Sequence, residues 1–323
     1  MARITPTPYM SQLKEKLMDE RKIAESTANT YIANLTLLNN KQAFNNLGFL
    51  KKNKDAIMEH LTQYSDNTEM NYLSCIVSAL STRKDEHLYK TIYKYYQGEL
   101  NDRLGKRDEV DTSVKTEAQK ENWLSWDDVL KRWNELKVEV DKFKGDKSIS
   151  KKNFDLLLDF LVLSLYVLIP PRRNKDYLHM YVLLKKDDRP LEPEIKNYLN
   201  MMDEEMIFNC YKTKKHYGVQ VEKVPEDLMN IIRIWLKFHP NLLSSGSKPR
   251  EVKLFVNHDG SPIHLDNFIT YRLNRIFDRK IASTMLRHIY ISSKFGKEYD
   301  EMVKTAKAMG HSVAEQKDYI KKD

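Results

Sequence analysis

Residues 154–177 read FDLLLDFLVLSLYVLIPPRRNKDY. The run up to Ile169 is apolar on every side of a helical wheel, broken only by Asp155, Asp159 and Ser164. It is short and carries acidic residues, so it falls below the ~20 apolar residues of a comfortable membrane span. A helix buried in a protein core is the reading that fits. It ends at once on Pro170-Pro171, where proline cannot continue a helix. Arg172 and Arg173 follow, so two cations sit where the chain leaves the core. A helix C-terminus favours positive charge, and that alone accounts for the pair.

Upstream of this helix the chain is rich in helical patterns and poor in glycine, with 9 in 323 residues. Ser26-Thr27 opens a helix whose apolar face is Tyr31, Leu35 and Leu38, and segments near 9–20, 52–64, 67–82 and 86–101 read the same way. Residues 102–122, DRLGKRDEVDTSVKTEAQKEN, hold no apolar period and read as a linker. The expected organisation is a helical domain over 1–105, a linker over 106–122 and a second domain over 123–323. Ser125 is placed to cap the helix that starts the second domain.

Downstream, MIFNCYK (206–212), TKKHYG and VQVEKV (219–224) alternate around Gly218 as strand, turn and strand. EDLMNIIRIWLKF sets Leu228, Ile231, Ile232, Trp235 and Phe238 at helical spacing, and KLFVNHDGSPI holds a short strand with an Asp-Gly turn. Helices are expected from Asn267 onward. The fold class is therefore mainly α with a small antiparallel β-sheet.

The 54 Lys and Arg against 46 Asp and Glu leave a net charge of +8, most of it after residue 120. A basic surface suits a polyanion, because each neutralised phosphate releases a counterion. The two cysteines, Cys75 and Cys210, lie far apart with no CxxC, which removes a disulfide framework and argues against a structural zinc site. Two reduced thiols and an N-terminus without an apolar signal segment fit an intracellular protein. No acidic cluster or His/Cys spacing suggests a metal.

Four segments carry polar residues that composition does not explain. Arg172 and Arg173 are in the first. Lys212, Lys214 and Lys215 lie in the stretch CYKTKKHYG. Thr284, Arg287 and His288 in STMLRHIY fall at i, i+3 and i+4 on one helical face. His311 and Tyr319 belong to MGHSVAEQKDY. Each has an ordinary reading taken singly: a solvated helix end, a soluble hairpin tip, surface residues, and one of 18 tyrosines.

Their order resembles the catalytic domain of the tyrosine recombinase (integrase) family. In that family an arginine in R-x-x-E/D follows an apolar helix, and Arg173-Asn-Lys-Asp176 fits, with Arg172 as the alternative. A hairpin lysine matches Lys212-Thr-Lys-Lys. The H-x-x-R box, often followed by His, reads Thr284-Met-Leu-Arg287-His288. The Gly-His-Ser segment at Met309–Ser312 precedes Tyr319 at the family's interval. The resemblance spans roughly residues 123–320, and ESTANTYIANLTLL looks like the family's core-binding domain. PPRR…DY, MLRHIYI and MGHSV are similar to recombinases of large eukaryotic DNA viruses and related mobile elements. Two features depart from the pattern: Thr284 stands where the family has histidine, and four residues follow Tyr319, fewer than is usual.

The resemblance implies site-specific DNA integration or recombination, with Tyr319 attacking a phosphate to form a 3′-phosphotyrosine. Arg173, Arg287 and His311 would hold that phosphate. Lys212 would protonate the leaving 5′-oxygen, and Lys214 and Lys215 would contact the DNA. Thr284 and His288 are weaker members of the set. It further implies double-stranded DNA as partner, a homotetramer on it, no cofactor, no metal, no membrane and no small-molecule substrate. A type IB topoisomerase and a catalytically inactive DNA-binding relative are the alternatives.

Overall fold

A computed structural model describes residues 5–108, 113–185, 192, 195–243 and 249–321, the side chain of Lys317 excepted. The chain divides into two compact units, Met1–Val114 and Lys115–Asp323.

The first unit is helical: α1 (Pro8–Asp19), α2 (Glu25–Leu38), α3 (Phe49–Lys52), α4 (Lys54–Leu61), α5 (Asp66–Ser81) and α6 (His87–Asp108). The Thr7 hydroxyl accepts from the Met10 amide at 3.2 Å, and Pro8 occupies the first helical position, so α1 starts where its caps dictate. Leu73, Ile76 and Leu80 of α5 share one buried face, packed with Leu35, Leu50, Leu61 and Tyr96. The Tyr96 hydroxyl is satisfied in that core by donating to the Leu50 carbonyl at 3.0 Å. The helix expected over 52–64 is α4, and Asn53, at φ −105° and ψ 21°, separates it from the short α3.

The second unit comprises α7 (Glu117–Asn122), α8 (Trp126–Asp141), α9 (Lys151–Val167), α10 (Asn174–Leu178), β1 (Met180–Leu183), β2 (Asn197–Asn200), β3 (Glu205–Phe208), α11 (Lys214–Tyr217), β4 (Gln220–Lys223), α12 (Glu226–Lys237), α13 (Pro240–Leu243), β5 (Glu251–Lys253), α14 (Phe268–Phe277), α15 (Ser283–Met309) and α16 (Val313–Tyr319). Helix α9 is its axis and packs against α8, α12 and α14. Residues 157–166 are all buried, as an all-round apolar helix requires. Asp159 is tolerated there because Arg272, 3.2 Å away, and Arg275 share its carboxylate. Burial still pushes that carboxyl above its ordinary range against the pull of both arginines. Ser125 caps α8 as expected, in a reciprocal box with Asp128.

Three expectations are corrected. The polar stretch 102–122 is not all linker: α6 continues to Asp108, and Thr116 and Gln119 form a capping box that starts α7. Polar helices lack the apolar period that marks a helix in sequence. Residues 109–112, inside the expected linker, lie outside the described residues. The sheet is not purely antiparallel. It has five strands in the order β4-β3-β2-β1-β5, with β1 and β2 parallel. Those two strands are buried nearly end to end, so they show no alternation to read. The first hairpin strand stops at Phe208 rather than residue 212, and the short helix α11 fills the connection.

Candidate active site

Pro170 and Pro171 end the core helix, and the chain turns into α10 with Arg173 as its N-cap. This turn is built on buried groups. The Tyr177 hydroxyl donates to the Leu165 carbonyl at 3.1 Å. Tyr166 donates to Asn174 Oδ1 at 3.1 Å, and Asn174 Nδ2 donates to the Thr270 hydroxyl at 3.0 Å. Burial drives the Tyr166 and Tyr177 hydroxyls well above the usual phenol range, so both are neutral scaffolding.

The two arginines of the turn differ. Arg172 Nε donates to Asp176 Oδ2 at 3.1 Å, and its guanidinium lies 3.6 Å from the Phe208 ring centroid and 5.2 Å from that of Tyr211. Asp176 is buried, and burial raises its carboxyl above the ordinary range although Arg172 opposes the shift. Arg173 has no carboxylate partner among the described residues, and neither does Arg287 on α15.

Arg173 and Arg287 line one cleft of about 460 Å³, walled by Pro170 and Pro171 on one side and by Tyr211, Thr213 and Tyr217 on another. Arg287 also faces a second cleft of about 420 Å³ with Thr284, His288 and the same two prolines. The i, i+3, i+4 face read from the sequence is thus a real wall beside the arginine turn. Lys212 is exposed between two lining residues, Tyr211 and Thr213, without lining the cleft itself; Lys214 and Lys215 lie on α11 next to it.

What joins the arginine turn to the lysine connection is Asn197, fully buried at the start of β2. Its amide donates to the carbonyls of Asp176 (2.8 Å) and Cys210 (3.0 Å), and its oxygen accepts from the amides of Asn209 (2.8 Å) and Cys210 (2.7 Å). Sequence reasoning missed it: a single Asn before Tyr198-Leu199 carries no pattern.

His311 and Tyr319 are elsewhere. Helix α15 runs unbroken to Met309, and Gly310 ends it in the left-handed conformation at φ 77°, letting His311 N bond to the Ala306 carbonyl at 3.1 Å. From Arg287 to Ala306 the rise is about 28 Å at ~1.5 Å per residue. The His311 ring stacks on Tyr319 with centroids 5.5 Å apart, and neither ring lines either cleft. His311 Nδ1 lies 3.1 Å from the Ser312 carbonyl, while its buried Nε2 has no described partner. Of the residues singled out from the sequence, the fold therefore gathers Arg172, Arg173, Arg287, Thr284 and His288, sets Lys212, Lys214 and Lys215 beside them, and holds His311 with Tyr319 apart.

No family model matches the chain, and no curated protein does. Among solved structures it is similar to the crystal structure of XerA recombinase, at 12% identity and a TM-score of 0.33, over 98% of this chain and 93% of that one.

Proposed function

We propose that the protein is a site-specific DNA recombinase that cuts and rejoins strands through Tyr319. The observation that carries this reading is the pair Arg173 and Arg287: two guanidiniums without carboxylate partners among the described residues, facing one cleft beside a lysine-rich connection. A phosphodiester is already anionic, and its transition state spreads more charge over the phosphoryl oxygens. Forked, permanently charged donors match that geometry. Arg172 lines the same cleft but is tied to Asp176.

In the reaction, the Tyr319 oxygen forms a bond to phosphorus as the P–O5′ bond breaks. The proton of Lys212 goes to the leaving 5′-oxygen. The phenol proton passes to water as the oxygen attacks, and a cationic cleft favours the anionic form that results. The product is a 3′-phosphotyrosine and a free 5′-hydroxyl. A 5′-hydroxyl from another strand reverses the step without ATP, because the phosphoester bond is conserved. His311 adds a donor to the phosphate once Tyr319 is delivered, and strand exchange between two duplexes calls for four protomers.

The test is a nicked duplex bearing the target site, in which the cut strand cannot religate. Wild type is expected to form a covalent protein–DNA adduct that Tyr319→Phe does not form. An adduct in the Phe variant removes Tyr319 from the role. A second reading, a DNA-binding protein that does not cut, is favoured by one observation, the distance of Tyr319 from the cleft. It predicts binding with no adduct on any substrate.

A further inference from the structure

At about 460 Å³ the arginine cleft is as roomy as a small-molecule site, and much of its lining is not cationic. Met206, Val224 and Pro225 give it an apolar wall. Strand β4 adds Gln220 and Glu222, two residues apart and both lining the cleft. At the rim stands Tyr217, which α11 presents beside Thr213 at i and i+4. The place of that ring is built. Gly218 closes α11 at φ 68° and ψ −157°, a backbone conformation left to glycine. The Tyr211 hydroxyl donates to the Gly218 carbonyl at 2.8 Å, and the Tyr211 ring lies against Arg172. Tyr217 itself is 69% exposed, and among the described residues its ring stacks on none and its hydroxyl bonds to none.

A phosphate alone does not use these groups. Glu222 would repel it, because an ionised carboxylate only accepts hydrogen bonds. Among the described residues no cation pairs with Glu222, and Arg172 is already held by Asp176. What Glu222 lacks is a neutral N–H donor. The exocyclic amino group of a nucleobase is one. Gln220 offers both a donor and an acceptor to the rest of that base edge, and the Tyr217 ring offers a face on which a base stacks. We propose that the cleft takes one unstacked nucleobase beside the scissile phosphate. Arg173 and Arg287 hold the phosphate, Tyr217 stacks on the base, and Glu222 accepts from its amino group. The base is adenine, cytosine or guanine, since thymine has no amino group and would turn a carbonyl oxygen toward Glu222. This rests on the recombinase reading above. A base leaves its stack at least cost where pairing is already broken, so the site fills most readily beside a cut strand.

The first experiment needs no cleavage. Binding of dAMP, dCMP, dGMP, dTMP and 2-deoxyribose 5-phosphate to the full chain is measured by ligand-observed NMR. The three amino-bearing nucleotides are expected to bind about tenfold more tightly than the sugar phosphate, and dTMP less tightly than any of the three. Tyr217→Ala is expected to remove the gain over the sugar phosphate. Glu222→Gln, whose amide can also donate, is expected to let dTMP bind as tightly as the others. Equal binding of all five ligands, or preferences unchanged in both variants, overturns the proposal. The second experiment uses the nicked duplex, with each nucleotide flanking the scissile phosphate made abasic in turn. At one of the two positions the loss is expected to slow wild-type adduct formation about tenfold and to leave Tyr217→Ala no slower than on the intact duplex. An adduct indifferent to both abasic positions removes the base site and leaves the recombinase reading standing. A preference among the mononucleotides with no adduct on any duplex upholds the base site and removes strand cutting instead.

Discussion

Arg172 closes onto Asp176, Nε to Oδ2 at 3.1 Å, and by doing so it leaves the adjacent Arg173 as the free cation of the turn. Two neighbouring arginines thereby take different work. Arg173→Ala and Arg287→Ala are each expected to lower adduct formation about 10²–10³-fold with thermal unfolding nearly unchanged. Arg172→Ala is expected to destabilise the fold by about 3 kcal/mol, because the buried Asp176 loses its partner. Thermal unfolding of the three variants beside their cleavage rates checks the assignment. Equal destabilisation by Arg172→Ala and Arg173→Ala would sink it.

Asn197 should behave as a joint. Asn197→Ala removes four hydrogen bonds in a buried place and is expected to cost about 3 kcal/mol or more, read by urea unfolding. Asn197→Asp is expected to fail as well, since a carboxylate can accept from Asn209 and Cys210 but cannot donate to the Asp176 and Cys210 carbonyls. A stable Asp variant would show that the two donated bonds contribute little.

The Asp176 carboxyl titrates high because it is buried, with Arg172 pulling the other way. A raised folded-state value means that the folded protein holds this proton more tightly than the unfolded chain does. That contribution favours folding on the acid side and is lost as pH climbs through the raised value. Asp176→Asn has no such titration. The unfolding free energy of wild type minus that of the variant is therefore expected to fall as pH rises from about 4 toward neutral. A difference that rises instead would mean that pairing with Arg172 outweighs burial.

Lys212 is assigned proton donation, and chemistry can isolate that step. Lys212→Ala is expected to slow cleavage about 10²-fold or more. A substrate whose leaving 5′-oxygen is replaced by sulfur needs no proton, and on it the variant is expected to recover most of the wild-type rate. Unequal rates on the sulfur substrate would point to a DNA-binding role for Lys212.

Much of the second unit was legible in its residues alone. An all-round apolar run stopped by two prolines could only be a core helix with a sharp exit, and α9 ends at Val167 before them. Ser125 announced its cap, and Leu228 through Trp235 announced the buried face of α12. These are local effects of periodicity, capping and proline geometry, written in neighbouring residues. The cluster Thr284, Arg287 and His288 belongs with them, since helical spacing alone puts all three on one face.

The rest was decided in three dimensions. Strands buried on both faces lack an alternating pattern, so β1 and β2 left no signal and their parallel pairing came from tertiary packing. Which of Arg172 and Arg173 is free depends on where the Asp176 carboxylate points, and only the packed turn sets that. Asn197 matters through partners on both sides of it in the chain, which no motif encodes. Last, α15 runs straight through Gly296 although glycine costs a helix interior about 1 kcal/mol, a cost too small for the residues alone to mark or exclude a break. The order of Arg173, Lys212, Arg287, His311 and Tyr319 was written in the sequence. That four of its residues, in two groups, stand at opposite ends of one helix was a decision of the fold: Arg173 and Arg287 at one end, His311 and Tyr319 at the other.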